Sequence, residues 1–337
     1  MVKTSIIIVT FNSEKFIRNC LESISKNFHS IKHEIIIVDN CSKDGTLDIL
    51  SKRKDILLIR NGKNQGFAKA CNKGARPASG KFLLFVNPDV EFKDPLPENI
   101  LVFLSKNKDV AGGGFSHIFP SGRIQRICAG CIFKPLDHFS EQLGLYVLFP
   151  FVRIFNARFF PFQKYWNDHP AEFICGGCFL IKKEIFSTIS GFDEKYFSYF
   201  EDMDICKRLK NKGYKLHYWG SMRIIHFLGS ERKKITILSL KANYTSRYYY
   251  FKKFYSPLWL PFLWLVSNIG LLARFIVFIF YSLYKIQFYN IAKKYFSVFL
   301  SHLNPVNVGY SRVEITVGVV ARSEATRQSR EIGSLEE

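Results

Sequence analysis

The sequence predicts an α/β protein in which a mostly parallel sheet, with helices on both faces, is followed by a helical, membrane-associated C-terminal region. Two observations predict the sheet. Short β-branched runs alternate with segments of helical spacing, and each run is bounded by polar or turn residues. A third predicts the appendage: beyond residue 229 the chain turns to basic residues set around long uncharged, aromatic stretches. At 337 residues the chain can bury a full core of roughly 230 residues with an appendage beside it.

Ser5 to Thr10 (SIIIVT), Glu34 to Asp39 (EIIIVD) and Asp55 to Arg60 (DILLIR) are the first three expected strands. Between them, Ser13 to Ser25 and Asp44 to Lys52 carry apolar residues at helical spacing, with Ser13 and Asp44 as N-caps. The run Phe82 to Val86 has the pattern of a buried strand and should stop at Pro88, which has no amide hydrogen to give a neighbouring strand. That stop leaves Asn87 and Asp89 at a carboxyl end, where open α/β sheets bind ligands. A carboxylate there can take a hard divalent cation that grips a diphosphate, although the tripeptide alone is more often a turn. Asp39 ends the second strand, ahead of Asn40 and the turn Lys43-Asp44-Gly45. An acid at that place can hydrogen-bond a nucleoside or simply cap a helix.

The stretch Phe197 to Asp204, FSYFEDMD, sets Glu201 and Asp202 among Tyr199, Phe200 and Met203, ahead of a helix-like run through Lys210. Desolvation among aromatics raises a carboxylate's affinity for a proton and suits it to general-base work near neutral pH. The plainer alternative is that both acids merely charge the first turn of the helix.

The ordered set SIIIVTFNS, IIIVDNCSKDGT, NGKNQGFAKACNKG, FLLFVNPDV, CGGCFLIKKEIF, GFDEKYFSYFEDMDICKRL and RIIHFLGS closely resembles the inverting family 2 glycosyltransferases. Within them it is most similar to the rhamnosyltransferase-type enzymes that build bacterial surface polysaccharide, over residues 3 to 255. The resemblance implies a GT-A-like, Rossmann-like domain. It implies that the first strand, with Thr10 and Asn12 at its end, and Asp39 bind the base and ribose of a nucleotide-sugar. Asn64, Gly66 and Phe67 would lie beside the nucleotide, and Gly176 and Gly177 would let the backbone approach substrate on the acceptor side.

The family's Asp-x-Asp metal motif appears here as Asn87-Pro88-Asp89, which leaves Asp89 as its one anionic ligand for Mg or Mn. His226, after the strand-like Arg223 to Ile225, matches a histidine that related transferases place near the metal and diphosphate. Imidazole suits Mn²⁺ better than Mg²⁺, and a lone histidine after a strand is more often structural. The usual continuation, His-x-x-Gly-x-Ser, is broken, because Gly229 is followed directly by Ser230.

By the same resemblance, Asp202 is the base that deprotonates an acceptor hydroxyl as it attacks the anomeric carbon from the opposite face. Glu201 would orient the acceptor or support Asp202. The implied reaction moves a sugar, first choice rhamnose from dTDP-rhamnose, to a lipid-linked or polysaccharide acceptor, with a UDP-sugar as the alternative donor.

Two other classes fit less well. A Rossmann oxidoreductase would carry G-x-G-x-x-G after the first strand, where this chain has Thr10-Phe11-Asn12-Ser13. A nucleic-acid-binding protein would spread its basic residues along a phosphate track, whereas here they concentrate beside an apolar aromatic run. Eight cysteines without a recognisable secretory leader are expected to be reduced thiols on the cytoplasmic side. Cys128-x-x-Cys131 and Cys175-x-x-Cys178 have the ligand types of a zinc site, but 43 residues separate the pairs. A zinc ribbon spaces its pairs by about 15–20.

Expected boundaries are 1–228 for the catalytic domain, 229–304 for a basic, aromatic-rich helical region and 305–337 for a disordered tail. From Gly229 to Asn304 there are eleven Lys or Arg against one acid, Glu231. Phe254 to Ala273 gives 20 residues without a charge, Arg274 follows, and ten more uncharged residues reach Tyr284. Such a run can cross a bilayer or lie in its plane, with Pro257, Pro261, Asn268 and Arg274 expected to break or polarise it. Burial in a soluble fold is the third option. Basic flanks at both ends favour contact with anionic lipid, hence an enzyme at the cytoplasmic face of the inner membrane, peripheral or single-span. The last 33 residues contain no Lys and no Phe, unlike the rest of the chain.

Overall fold

The computed structural model describes residues 3–228 and 236–303. The expectations placed on Gly229, Ser230 and the 305–337 tail lie outside the described residues. In chain order the elements begin β1 (Thr4–Thr10), α1 (Glu14–Asn27), β2 (His33–Asp39), α2 (Thr46–Leu50), β3 (Ile56–Arg60), α3 (Phe67–Ala75), β4 (Phe82–Val86), β5 (Val90–Phe92), α4 (Glu98–Lys106) and β6 (Val110–Ile118). They continue with β7 (Ala129–Gly130), α5 (Pro135–Gln142), α6 (Leu145–Leu148), β8 (His169–Ala171), β9 (Phe173–Ile174), β10 (Cys178–Lys182), α7 (Lys183–Thr188), α8 (Glu201–Asn211) and β11 (Lys215–His226). Three helices close the described chain: α9 (Ile237–Phe254), α10 (Trp259–Ser282) and α11 (Gln287–Leu303).

Nine strands form one mixed sheet in the order β3-β2-β1-β4-β10-β6-β11-β5, with β8 paired to β11. The β3-β2-β1-β4 half is parallel and β6 runs parallel to β11, while β10 is antiparallel to both its neighbours. Every residue of β1 is buried, as a central parallel strand covered on both faces requires. Ile6, Ile8, Ile35 and Ile37 share one core cluster with Ile17, Leu21 and Ile24, which recur at helical spacing on α1. Ile7 and Ile36 turn the other way, toward Gly74 of α3. The α/β fold class and the four expected N-terminal strands are therefore as the sequence indicates.

The caps are not as expected. Ser13 stands before α1, but its hydroxyl accepts from the Phe11 amide at 3.2 Å rather than from the helix. Asp44 serves both helices instead. Its Oδ2 accepts from the Glu14 amide at 3.1 Å at the start of α1, and its Oδ1 from the Thr46 amide at 3.1 Å at the start of α2.

The described chain divides into two compact units, residues 3–141 with 145–228, and 142–144 with 236–303. In the second unit α10 packs on α11 through Phe275 on Phe296 at 4.8 Å and Phe278 stacked on Tyr295 at 5.6 Å. Contrary to the sequence expectation, neither Pro261 nor Asn268 interrupts α10. Pro261 falls in the first turn, where amides have no intrahelical partner to lose, and Asn268 gives its side-chain amide to the Trp264 carbonyl at 2.8 Å. Arg274 is held by its own unit, donating to the Gln142 carbonyl at 3.1 Å. Among the described residues α10 is the one helix long and apolar enough to cross a membrane, by length and composition only.

Candidate active site

Sheet topology brings distant residues to one edge. β1, β2, β4, β6 and β11 all end there, at Thr10, Asp39, Val86, Ile118 and His226, while antiparallel β10 begins there at Cys178. Asn87 therefore meets Gly177, donating its amide to the Gly177 carbonyl at 2.9 Å. The strand order reverses between β1 and β4, the crevice at which open α/β sheets bind ligands.

On the β1–β2 side, Asp39 is 1% exposed and well partnered. Its Oδ1 accepts from Thr10 Oγ1 at 2.9 Å and Ser42 Oγ at 2.5 Å, and its Oδ2 from the Ser42 amide at 3.0 Å. Asp39 thus caps no helix; it ties a strand end to the following loop. Asn12, at φ 50°, accepts from the Lys43 amide at 2.7 Å and closes the same loop. Asn40, which sequence reasoning passed over, joins this side to the next by donating to the Gly66 carbonyl at 3.1 Å and accepting from Asn61 at 2.8 Å. Asn64 accepts from the Gly66 amide at 2.9 Å. Gly66 is obligatory: its φ is +85°, and a Cβ would lie 2.4 Å from the Phe197 carbonyl oxygen. The adjacent Phe67 amide donates to that same carbonyl at 2.9 Å, which anchors α3 to the segment leading into the acid pair.

That segment is strained. Tyr199 and Phe200 both have positive φ, 68° and 66°, a conformation bulky side chains rarely adopt and one that concentrates at functional sites. Phe200 is braced against Phe133 at 5.5 Å. The three acids that follow have separate environments. Asp204 is fully buried and pairs with Arg208, which also donates to the carbonyls of Ile189 and Gly191, so it holds the helix in place. Glu201 is 7% exposed with Oε2 unpartnered, and burial followed by the neighbouring Asp202 charge pushes its carboxyl well above the ordinary range. Asp202 is half-buried; burial raises its pKa too, against the amides of Gly176 and Met203, which donate to its two oxygens at 3.0 and 2.7 Å. Of the pair, Asp202 is the one built to carry the negative charge.

Gly176 and Gly177 connect this acid pair to a third group. A Cβ on Gly176 would sit 3.5 Å from Asp202 Cβ and from Phe67, and one on Gly177 would sit 2.9 Å from His117 and 3.1 Å from His226. His226 is 5% exposed, and its Nε2 lies 3.4 Å from Asp89 Oδ1. Gln125 orients its ring. The Gln125 amide nitrogen donates to the His226 backbone carbonyl at 2.5 Å, so its Oε1 faces Nδ1 at 3.2 Å and Nδ1 must carry the hydrogen. Nε2 of His226 is thereby turned toward a carboxylate oxygen.

A proton on Nε2 would make this an ion pair, and a cation shared by the imidazole and the carboxylate would satisfy the same two atoms. A single divalent ion at about 2.1 Å from each would be such a cation, so the residues fit a bound metal. No cluster of three or more His, Cys, Asp or Glu is disposed around one point among the described residues, so the remaining ligands would come from substrate and water. His117, also missed from the sequence, packs edge-on to His226 at 5.1 Å with Nδ1 3.5 Å from Cys175 Sγ, and burial holds it neutral. All eight cysteines are free; Cys128 and Cys175 are neighbours across β7 and β9, with the Cys175 amide donating to the Cys128 carbonyl at 2.9 Å.

Residues 5–190, more than half of the chain, match the model of glycosyl transferase family 2. The chain belongs to glycosyltransferase family 2. Residues 158–230 of this glycosyltransferase also match a model described as the N-terminal domain of galactosyltransferase. It is 27% identical over 263 residues to rhamnosyltransferase WbbL of Escherichia coli K12, covering 73% of this chain and 91% of that protein. It is 23% identical to the N-acetylglucosaminyl-diphospho-decaprenol L-rhamnosyltransferase of Mycobacterium tuberculosis, covering 67% of this chain and 76% of that one. Among solved structures, the mannosyltransferase PcManGT of Pyrobaculum calidifontis, in complex with GDP-Man and Mn²⁺, has TM-score 0.50 at 15% identity over 90% of this chain and 87% of its own. That likeness concerns the fold. Family membership sets the oxidoreductase alternative aside: the enzyme is a glycosyltransferase with a GT-A fold.

Proposed function

We propose that this enzyme moves a sugar from a nucleotide-sugar to a lipid-linked or polysaccharide acceptor in cell-surface polysaccharide synthesis, at the cytoplasmic face of the inner membrane. Rhamnose from dTDP-rhamnose is the first choice, supported by the two rhamnosyltransferase relatives, and a UDP-sugar is the alternative. The observation that carries the proposal is the Gly176-Gly177 turn, which sets the Asp202 carboxylate on one side and the Asp89–His226 pair on the other.

Thr10, Asn12 and Asp39 at the β1–β2 edge, with Asn64, Gly66 and Phe67, would bind the nucleoside; Asn87 would border the diphosphate. Asp89 and His226 would hold a divalent cation, Mn or Mg, which when bound neutralises charge on a leaving diphosphate. Asp202 takes the proton from the acceptor hydroxyl as its oxygen bonds to the anomeric carbon and the bond to the nucleoside diphosphate breaks, which inverts configuration. Glu201, kept protonated beside it, spares Asp202 a second negative charge and can donate a hydrogen bond to the acceptor.

Thermal-shift measurement with dTDP-, UDP- and GDP-sugars, with and without Mn²⁺ or Mg²⁺, tests this, because a bound donor raises Tm by mass action. The expected result is a metal-dependent rise, largest for dTDP-rhamnose. No rise with any nucleoside diphosphate sugar would overturn the proposal, and a larger rise with a UDP-sugar would select the alternative.

A further inference from the structure

Residues 145–167 of the catalytic unit expose much of their apolar surface. The segment contains no acid, three cations (Arg153, Arg158 and Lys164), six Phe, and Tyr146, Tyr165 and Trp166. Phe160 and Tyr165 are buried, but other apolar side chains point outward: Phe151 is 99% exposed, Leu148 67%, Val147 64%, Ile154 54%, and Phe162 52%. Some of its polar groups turn inward. Asn156 is buried, and its side-chain amide donates to the carbonyls of Phe149 at 3.1 Å and Val152 at 3.3 Å. Ser140 donates to the Phe155 carbonyl at 2.7 Å, and Arg153 to the Phe159 carbonyl at 2.6 Å. The backbone is thus pinned from within so that the apolar tips stand in solvent. Soluble proteins rarely expose a contiguous apolar patch of this kind without a partner for it.

We propose that residues 145–166 form a second membrane-contact surface, docking on an anionic lipid bilayer independently of α10. Charge complementarity selects lipid as the occupant. Aliphatic and Phe side chains would enter the acyl boundary, Trp166 and Tyr146 suit the interface, and the exposed Arg153 and Lys164 suit anionic headgroups, whereas Arg158 is paired with Glu141. The base of the segment reaches the catalytic centre. The Arg158 guanidinium lies 4.9 Å over the Phe133 ring, Phe133 packs on Phe200, and Phe200 precedes Glu201. Docking there would bring the acid pair toward the plane in which a lipid-linked acceptor is presented. This deepens, and rests on, the proposed membrane-borne acceptor.

The full-length protein reconstituted in vesicles of phosphatidylcholine and phosphatidylglycerol doped with a diazirine phospholipid, photolysed and peptide-mapped, tests it. Adducts within 145–166 as well as within α10 are expected. Leu148→Asp/Phe151→Asp should lower the yield on 145–166 at least tenfold while leaving adducts on α10 and the metal-dependent hydrolysis of the donor unchanged. Yield on 145–166 in the wild type should also fall when phosphatidylglycerol is replaced by phosphatidylcholine. Adducts confined to 237–303 overturn the inference and leave the membrane-borne acceptor standing. Adducts nowhere overturn both, and yields on 145–166 indifferent to lipid charge overturn the anionic assignment.

Discussion

At the carboxyl edge of the sheet polar side chains are buried and partnered, with Asp39 1% and His226 5% exposed, whereas along α10 apolar side chains face outward, with Leu265 51% and Phe280 64% exposed. Both arrangements are costly in water, the first through desolvation of ionisable groups and the second through exposed apolar area. Under the proposed function each would be relieved by a partner of matching chemistry: a cation and diphosphate in the one case, an apolar surrounding in the other. The comparison teaches that the two regions expose opposite chemistry, buried polar groups at the sheet edge and exposed apolar groups along α10.

Removing one side of the comparison altogether should have the largest effect. A chain stopped after Gly229 is expected to leave the membrane fraction and lose transfer to a lipid-linked acceptor, yet still bind nucleotide-sugar, because Asp39, Asp89, Asp202 and His226 remain. Fractionation and donor-binding assays check this. A 229-residue form that still pellets with membranes, or that does not fold, would show that α10 is part of a common core.

Within the sheet edge, Asp202→Asn should lower turnover by about a hundredfold or more, the scale of losing a general base, with donor affinity unchanged. Near-normal turnover would remove Asp202 from that role. Asp89→Ala should weaken donor binding and abolish its dependence on Mn²⁺ or Mg²⁺, as read by calorimetry; affinity that stays both high and metal-sensitive would place the ligand elsewhere. Gln125→Leu leaves the ligands in place but frees the His226 ring, so Mn²⁺ affinity should fall by about tenfold, the lower end for a lost orienting partner. Unchanged affinity would mean that packing alone orients the ring.

The smallest effect is expected at Glu201. Its folded pKa lies above the ordinary carboxyl value of 4.5, near 8, so the folded state keeps a proton that the unfolded chain releases. Stability contributed by this group is therefore lost as pH rises between those values. Glu201→Gln, which cannot ionise, should match the wild type near about pH 4 and exceed its Tm at about pH 8, by roughly 2–4 °C for each kcal/mol recovered. A variant less stable than wild type at the higher pH would show that Glu201 is ionised in the fold.

Much of the catalytic half was legible because its signals are local. β-Branched runs, a proline that stops a strand and acids at strand ends are written in consecutive residues and located Asp39 and Asp89, two acids among aromatics marked the Glu201–Asp202 pair, and His226 came from the family resemblance. What the sequence could not show depends on contacts between residues far apart. Gln125 reaches His226 across 101 positions, and no local pattern marks it. His117 ends β6 at the same sheet edge and could have been found by asking what terminates each apolar run; the run of buried residues Val110–Ile118 was simply not singled out. Asp204 resembles its neighbours in sequence, and only the placement of Arg208 beside it makes it structural. Asp44 took over the role expected of Ser13 because capping depends on which loop approaches a helix end. The sequence by itself determined the alternating elements, the family and the chemistry of the end residues, since these follow from side-chain type and spacing along one segment. Tertiary structure decided which ends meet, which of two adjacent acids keeps its proton, and that residues 145–166 turn their apolar side outward, since burial and charge proximity exist only once the chain is packed.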